Sequence, residues 1–198
     1  MTQTELQERI LAATVALLNE TGAPEQITVR QIAERAGVGV GSINYNFGSR
    51  DNLINEAIWK ITGSAVAPWY EPQAHPTLDA MTRLREMFKA GTKIALQYRK
   101  FTIVSLQHSV QNDNLEPIKA ILPLLREILG DQKSELEVRV LAFQLMAAVR
   151  FALIKIDKFS DFLGMNLFEE NTINSIIDQM IDNLISLPQT DDNNHQST

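Results

Sequence analysis

The sequence predicts an all-α protein, and three observations carry that reading. Apolar residues recur at helical spacing along most of the chain. Capping-box sequences stand ahead of several of those runs. Alternating strand patterns bounded by hairpin dipeptides are missing.

Residues 4–21 read as the first helix, with Thr4 as N-cap and Gln7 three residues on in capping-box register. Leu6, Ile10, Ala13 and Leu17 keep the helical period, Leu18 widens the stripe, and Gly22 supplies the stop. A second capping box, Thr28 to Gln31, opens a short helix that runs to Arg35. Gly37 turns the chain, residues 39–47 form the next short helix, and Ser49 caps a longer one that ends before Pro68. Further on, residues 77–100, 101–111 and 115–129 read helical, with Pro123 breaking or restarting the last of these. Residues 134–157 and 172–187 complete the set. Residues 189–198 are polar and aperiodic, so they read as a disordered tail.

Composition excludes several classes of function. Hydrophobic residues fill 44% of the chain, enough for a real core. The chain has no cysteine, which rules out a disulfide framework and thiol-rich metal centres and fits a reducing cytoplasm. Its three histidines, His75, His108 and His195, match no metal-ligand spacing. No metal or cofactor is therefore expected. The N-terminus lacks a secretion signal, and no apolar run reaches the roughly 20 residues that cross a bilayer. The expectation is a soluble, cytoplasmic protein with no membrane partner. Net charge is −6, and the first sixty residues are no more basic than the rest. A nucleic-acid reading must therefore rest on where a few cations sit.

The informative stretch is residues 28–53. Ile32, Ala33 and Ala36 face inward, Gly37 takes the turn, and Val38, Ile43 and Phe47 pack a second short helix back on the first. Small Ala33 lets the two helices cross closely. The second helix then presents Gly39, Val40, Ser42, Asn44, Tyr45 and Asn46 outward, a polar face without charge. Such a face supplies short hydrogen-bonding groups for base edges and an apolar residue for a thymine methyl.

These spaced positions resemble the DNA-binding domain of the tetracycline-repressor (TetR) family, whose pattern runs Thr-x-x-x-Ile-Ala-x-x-Ala-Gly-Val into a Tyr- and Asn-rich helix ending in Phe. The resemblance covers the first helix through Leu53; the remaining two thirds match only in helical layout. It implies a one-component bacterial repressor. Thr28 and Arg30 would touch phosphates at the start of the first motif helix, where free N–H groups attract anions. Val40, Gly41, Ser42, Asn44, Tyr45 and Asn46 would lie in or beside the major groove, and Arg50 would stand where the family has a phosphate-clamping Lys. Val40 and Asn46 depart from the family's usual residues, which implies an altered base preference. The expected partners are double-stranded operator DNA, a small-molecule effector and a second copy of the chain.

Other readings are weaker. Gly37-x-Gly39-x-Gly41 would need a preceding strand to cradle a phosphate, and residues 32–36 are helical. Glu169 and Glu170 are adjacent at a helix start, which suits the helix dipole better than paired acid–base catalysis. No nucleophile motif occurs, so no catalytic residue is assigned and an enzyme is not expected. A constitutive architectural helix-turn-helix protein would have little use for the hundred-odd further residues.

The expected organisation is a three-helix DNA-binding head over residues 1–48 and a ligand-binding and dimerising body over 49–188, with 49–67 as linking helix. The apolar helix at 134–157 and the stripe Ile173, Ile176, Ile177, Met180, Ile181, Leu184, Ile185 and Leu187 would build a four-helix dimer interface. Phe88, Tyr98, Val104, Gln107 and His108 would line a mainly apolar effector cavity, with Gly91 and Ala95 leaving room.

Overall fold

The computed structural model describes residues 2–111 and 115–185, and of residues 105 and 107–111 the backbone only. The described elements are helices and short 3-10 turns, without a strand. In chain order they are α1 (Gln3–Thr21), α2 (Val29–Ala36), α3 (Val40–Phe47), α4 (Arg50–Tyr70), α5 (Ala80–Gln97), α6 (Arg99–Gln111), α7 (Glu116–Ala120), α8 (Leu122–Leu129), α9 (Glu135–Ile154), α10 (Ile156–Leu163) and α11 (Glu170–Leu184). None of them is long and apolar enough to cross a membrane.

Two apolar cores organise these helices. The head core gathers Ile10, Leu17 and Leu18 of α1, Ile32 and Ala33 of α2, and Ile43 and Phe47 of α3. The body core gathers Leu84 and Phe88 of α5, Leu124 and Leu125 of α8, Leu141 and Leu145 of α9, and Ile173, Ile177 and Ile181 of α11. Helix α4 belongs to both. Its first two turns bury Leu53, Ile54, Ala57 and Ile58 in the head, beyond residue 48, while Val66, Trp69 and Tyr70 pack against the body.

Several helix limits differ from the sequence expectation for identifiable reasons. The first helix is capped two residues earlier than expected, because Thr2 and Glu5 form the capping box, with Glu5 N–H donating to Thr2 Oγ1 at 3.2 Å. Thr4 therefore lies inside the helix. Pro68 does not stop α4, which runs on to Tyr70; a proline this near the C-terminus removes a single hydrogen bond. The expected 77–100 helix begins only at Ala80, where Asp79 accepts from Thr82 N–H at 2.7 Å, and turns at Tyr98. Pro123 does restart the chain, at the second position of α8.

The expected helix over 134–157 breaks at Lys155, a site with neither Gly nor Pro. The turn carries Ile156 into full burial and begins α10, which Gly164 ends at φ 65°.

Polar ties join the body helices. Arg85 of α5 pairs with Asp178 and Asp182 of α11, and Lys89 reaches Asp178 at 3.0 Å. Arg83 of α5, 1% exposed, pairs with Glu127 of α8 at 2.5 Å. Arg126 and Arg139 both bind Glu135 at 2.7 Å, and these hydrogen bonds hold its carboxyl down to about 2.

The apolar stripe of α11 faces inward. Ile173, Ile177, Ile181 and Ile185 are buried against α5 and α9 of the same chain, and Ile176, Met180 and Leu184 are half-buried. The outward side of α11 is polar, with Ser175, Gln179, Asp182 and Asn183 exposed. Helices of its own chain thus cover Ile173, Ile177, Ile181 and Ile185 of this stripe, while Ile176, Met180 and Leu184 keep a partly open side. Leu187 lies outside the described residues. Helix α9 differs, since Leu136, Val140, Phe143 and Phe151 are exposed. Their spacing places them on one side of a helix.

Candidate nucleic-acid interface

The site begins with two local stops in the head. Thr28 caps α2, its Oγ1 accepting from Gln31 N–H at 3.2 Å while Gln31 Oε1 accepts from Thr28 N–H at 2.7 Å. Gly37 ends α2 in the left-handed region at φ 62°, a conformation that costs glycine little. The tight turn that follows lets α3 start at Val40, with Gly39 as its N-cap. Ile43 and Phe47 then anchor α3 in the head core, at 0% and 7% exposure. At its far end Gly48 N–H donates to Asn44 O, and Asn52 Nδ2 donates to Phe47 O at 3.2 Å.

With Ile43 and Phe47 held inside, the other side of α3 must face out. Tyr45 is 80% exposed, Asn44 and Gly41 are exposed, and Val40 stands at the helix start. Ser42 and Asn46 are half-buried. Asn46 turns back on its own helix, Nδ2 donating to Ser42 O at 2.7 Å. Both belong to the wall of a surface groove of about 410 Å³, whose opposite wall is Thr2, Gln3 and Leu6 of α1. The sequence does not join these three residues to α3, because their approach to it is a tertiary contact. Gly41 has no packing reason to be glycine, since an added Cβ would meet no atom within 4 Å.

The cations of the head divide into spent and free. Arg35 and Glu20 pair at 2.7 Å, which lowers the Glu20 carboxyl through its hydrogen bond to the guanidinium. Arg9 Nη2 reaches Gly37 O at 3.4 Å and ties the turn to α1. Arg50 is not the exposed clamp that the resemblance implied. Its Nε donates to Ile27 O at 2.5 Å, Nη2 to Pro24 O, and Nη1 to Asp51. The guanidinium thus fastens the α1–α2 connection to the start of α4. Arg30 is exposed on the first turn of α2.

The three expected effector residues with described side chains do not come together. Phe88 lies in the body core, Val104 is 57% exposed, and Tyr98 is buried in the head core. Gly91 leaves no cavity, since α4 approaches there: an added Cβ would stand 3.5 Å from Val66 Cγ1. The side chains of Gln107 and His108 lie outside the described residues. Tyr98 instead joins the two units. It sits where α5 meets α6, and its hydroxyl donates to Leu18 O at 3.4 Å and accepts from Gln97 Nε2 at 3.1 Å. Burial pushes its phenol up, so it stays a donor.

A short helix pair joined at a glycine turn, an outward polar face on the second helix, and a separate helical body define a helix-turn-helix DNA-binding regulator. Residues 10–57 match the model of the bacterial regulatory proteins of the tetR family. Among solved structures it is similar to a protein described as a transcriptional regulator from Pseudomonas aeruginosa PAO1, 19% identical over 93% of this chain and 92% of that one, with a TM-score of 0.53. That likeness extends the shared fold through the body. A TetR-like transcriptional regulator from Rhodococcus sp. RHA1 is 16% identical over 91% of this chain and 95% of that one, with a TM-score of 0.47. A protein from Clostridium perfringens described as a fatty acid metabolism regulator is 22% identical over 90% and 98%, with a TM-score of 0.49. No curated protein matches the chain.

Proposed function

We propose that the chain is a repressor that binds a palindromic operator as a homodimer and releases it when a small, mainly hydrophobic inducer occupies the body. The observation that carries the reading is the face of α3: Tyr45 and Asn44 stand fully outward from a helix pinned by Ile43 and Phe47. In this reading α3 enters the major groove, with Val40, Gly41, Asn44 and Tyr45 toward the bases. Gly41 supports it. Glycine within a helix costs about 1 kcal/mol against alanine, and nothing inside the protein requires it; close approach of a DNA backbone does. Ser42 and Asn46 shape the groove beside the reading face, while Thr28 and Arg30 at the start of α2 meet phosphates.

The exposed α9 stripe is the natural dimer surface, because four large apolar side chains on one side of a helix need a cover. Two reading helices then lie about one DNA turn, roughly 34 Å, apart. An inducer acts by preferring a body whose head spacing misfits the operator, and it can shift the equilibrium only by its differential affinity. Head and body meet along α4 and at the α5–α6 corner, where Ile94, Tyr98 and Phe101 pack against the head core, so motion in the body reaches the head by two routes. Selection from random DNA with the purified protein, followed by titration, tests the reading. A palindromic consensus is expected; recovery of no preferred sequence would refute it.

A further inference from the structure

Thr92, midway along α5, is 2% exposed, and its Oγ1 has no hydrogen-bond partner. Thr14 and Thr62 avoid this by donating one turn back, Oγ1 to Ile10 O and Oγ1 to Ile58 O, both at 2.9 Å, whereas Thr102 Oγ1 of α6 is unpaired as well. Thr92 instead borders a small void between α5, α9 and α11, of about 10 Å³. Ala152 of α9 and Ile173 and Ile177 of α11 form its inner walls, and Thr92 contributes the only polar side chain. A void of this size holds about one water, but a buried water needs two to four polar partners. Here one hydroxyl is on offer, so water is a poor occupant. Toward the surface the wall consists of Leu153, Ile176 and Met180, all half-buried. Met180 is unbranched and can swing aside without disturbing the backbone.

We propose that this cleft is a ligand site, which opens by displacement of Met180 and its neighbours and takes a slender, mainly aliphatic molecule carrying one hydroxyl, amide or carbonyl group. The polar group bonds Thr92 Oγ1, and the chain replaces the void between Ala152 and the α11 isoleucines. The site deepens the inducer reading and rests on it for its regulatory meaning. Thr92 and Tyr98 stand six residues apart on one helix, about 9 Å along its axis. A ligand that pushes α5 away from α11 therefore moves the residue that is seated in the head core.

The test uses the full chain with 1-hexanol as probe, read by saturation-transfer NMR and by thermal shift. Saturable binding at one probe per protomer is expected. Thr92→Val keeps the shape and removes the hydroxyl; it should weaken binding roughly 2- to 10-fold and leave the unliganded melting temperature the same or higher. Ala152→Leu should fill the space and abolish binding. The proposal is overturned if the wild-type chain shows no saturable binding, or if Thr92→Val binds within twofold of wild type. It is likewise overturned if folded Ala152→Leu binds unchanged. Operator release by the probe is a separate readout. Binding without release keeps the cleft as a ligand site and refutes the inducer reading, whereas failure to select any DNA sequence strikes the operator reading alone.

Discussion

Replacing Tyr98 tests whether the body grips the head where the structure places it. The side chain is 2% exposed, is donated by the α5–α6 corner, and packs with Leu18 and the other residues of the head core. Tyr98→Phe keeps the ring and loses a long hydrogen bond of 3.4 Å to Leu18 O, which is worth about 0.5–1 kcal/mol. Tyr98→Ala removes the ring and leaves a cavity, and aromatic-to-alanine changes at buried sites cost about 3–5 kcal/mol. Against a typical domain stability of about 5–15 kcal/mol, that is a large share. Urea unfolding followed by circular dichroism gives both numbers, and hydrogen exchange at the end of α1 locates the effect. Protection near Leu18 should fall in the alanine variant and hold in the phenylalanine variant. At a temperature where Tyr98→Phe is fully folded, its operator affinity should stay within a few-fold of wild type, because α3 is untouched. A cost below about 1 kcal/mol for Tyr98→Ala would refute the grip, since a ring in that position cannot be removed so cheaply.

Other outcomes follow from the same geometry. Tyr45→Ala should cost about 1–3 kcal/mol of operator affinity with no change in melting temperature, because the side chain is exposed and meets only an outside partner; a fall in melting temperature would place Tyr45 in the fold instead. Arg30→Ala should make the slope of log K against log salt shallower by about 2 per dimer, whereas Arg50→Ala should leave the slope alone and destabilise the head; equal slopes in titrations of wild type and Arg30→Ala would remove Arg30 from the interface. Sedimentation should give about 44 kDa, twice the 22.2 kDa chain, and Phe143→Asp on the exposed α9 stripe should shift it to monomer; a dimer unaffected by that charge would put the interface elsewhere. The Glu135 carboxyl is lowered by its hydrogen bonds to Arg126 and then Arg139, so its contribution is present above the ordinary value of 4.5 and is lost as pH falls toward about 2. Acid unfolding of Glu135→Gln should therefore be less pH-dependent across that window, and an unchanged profile would deny the Arg126–Glu135–Arg139 tie any role.

The head was legible in the sequence because its signals are local. Thr28 with Gln31, Gly37 and Ser49 set caps and turns within a few residues, and the spacing of Ile32, Ala33, Ile43 and Phe47 already says which side faces in. The role of Arg50 was not legible, because its acceptors, the carbonyls of Pro24 and Ile27, lie more than twenty residues away and lack any side-chain signature. In the body the apolar pattern revealed helices but not their partners. The stripe of α11 looks the same in sequence whether a second chain covers it or α5 and α9 do. Tyr98 reads as a member of an α5 face, yet a turn with no glycine or proline sends it into the other core. Thr92 gave no signal, since an unpaired hydroxyl is a property of its surroundings.

The sharing of α4 between two cores has a consequence for anyone wishing to exchange DNA specificities between regulators of this build. A graft cut at residue 48 would carry the reading helix but leave behind Leu53, Ile54, Ala57 and Ile58, which close the underside of the head. Even a cut after those two turns strands Tyr98, which arrives in the head from forty residues further along the chain. The transplantable unit is therefore discontinuous: residues up to the middle of α4, plus a matching α5–α6 corner in the recipient that supplies the counterparts of Ile94, Tyr98 and Phe101. Specificity and response are separable in this protein only if that corner, with Ile94 and Phe101 packed beside Tyr98, travels with the head.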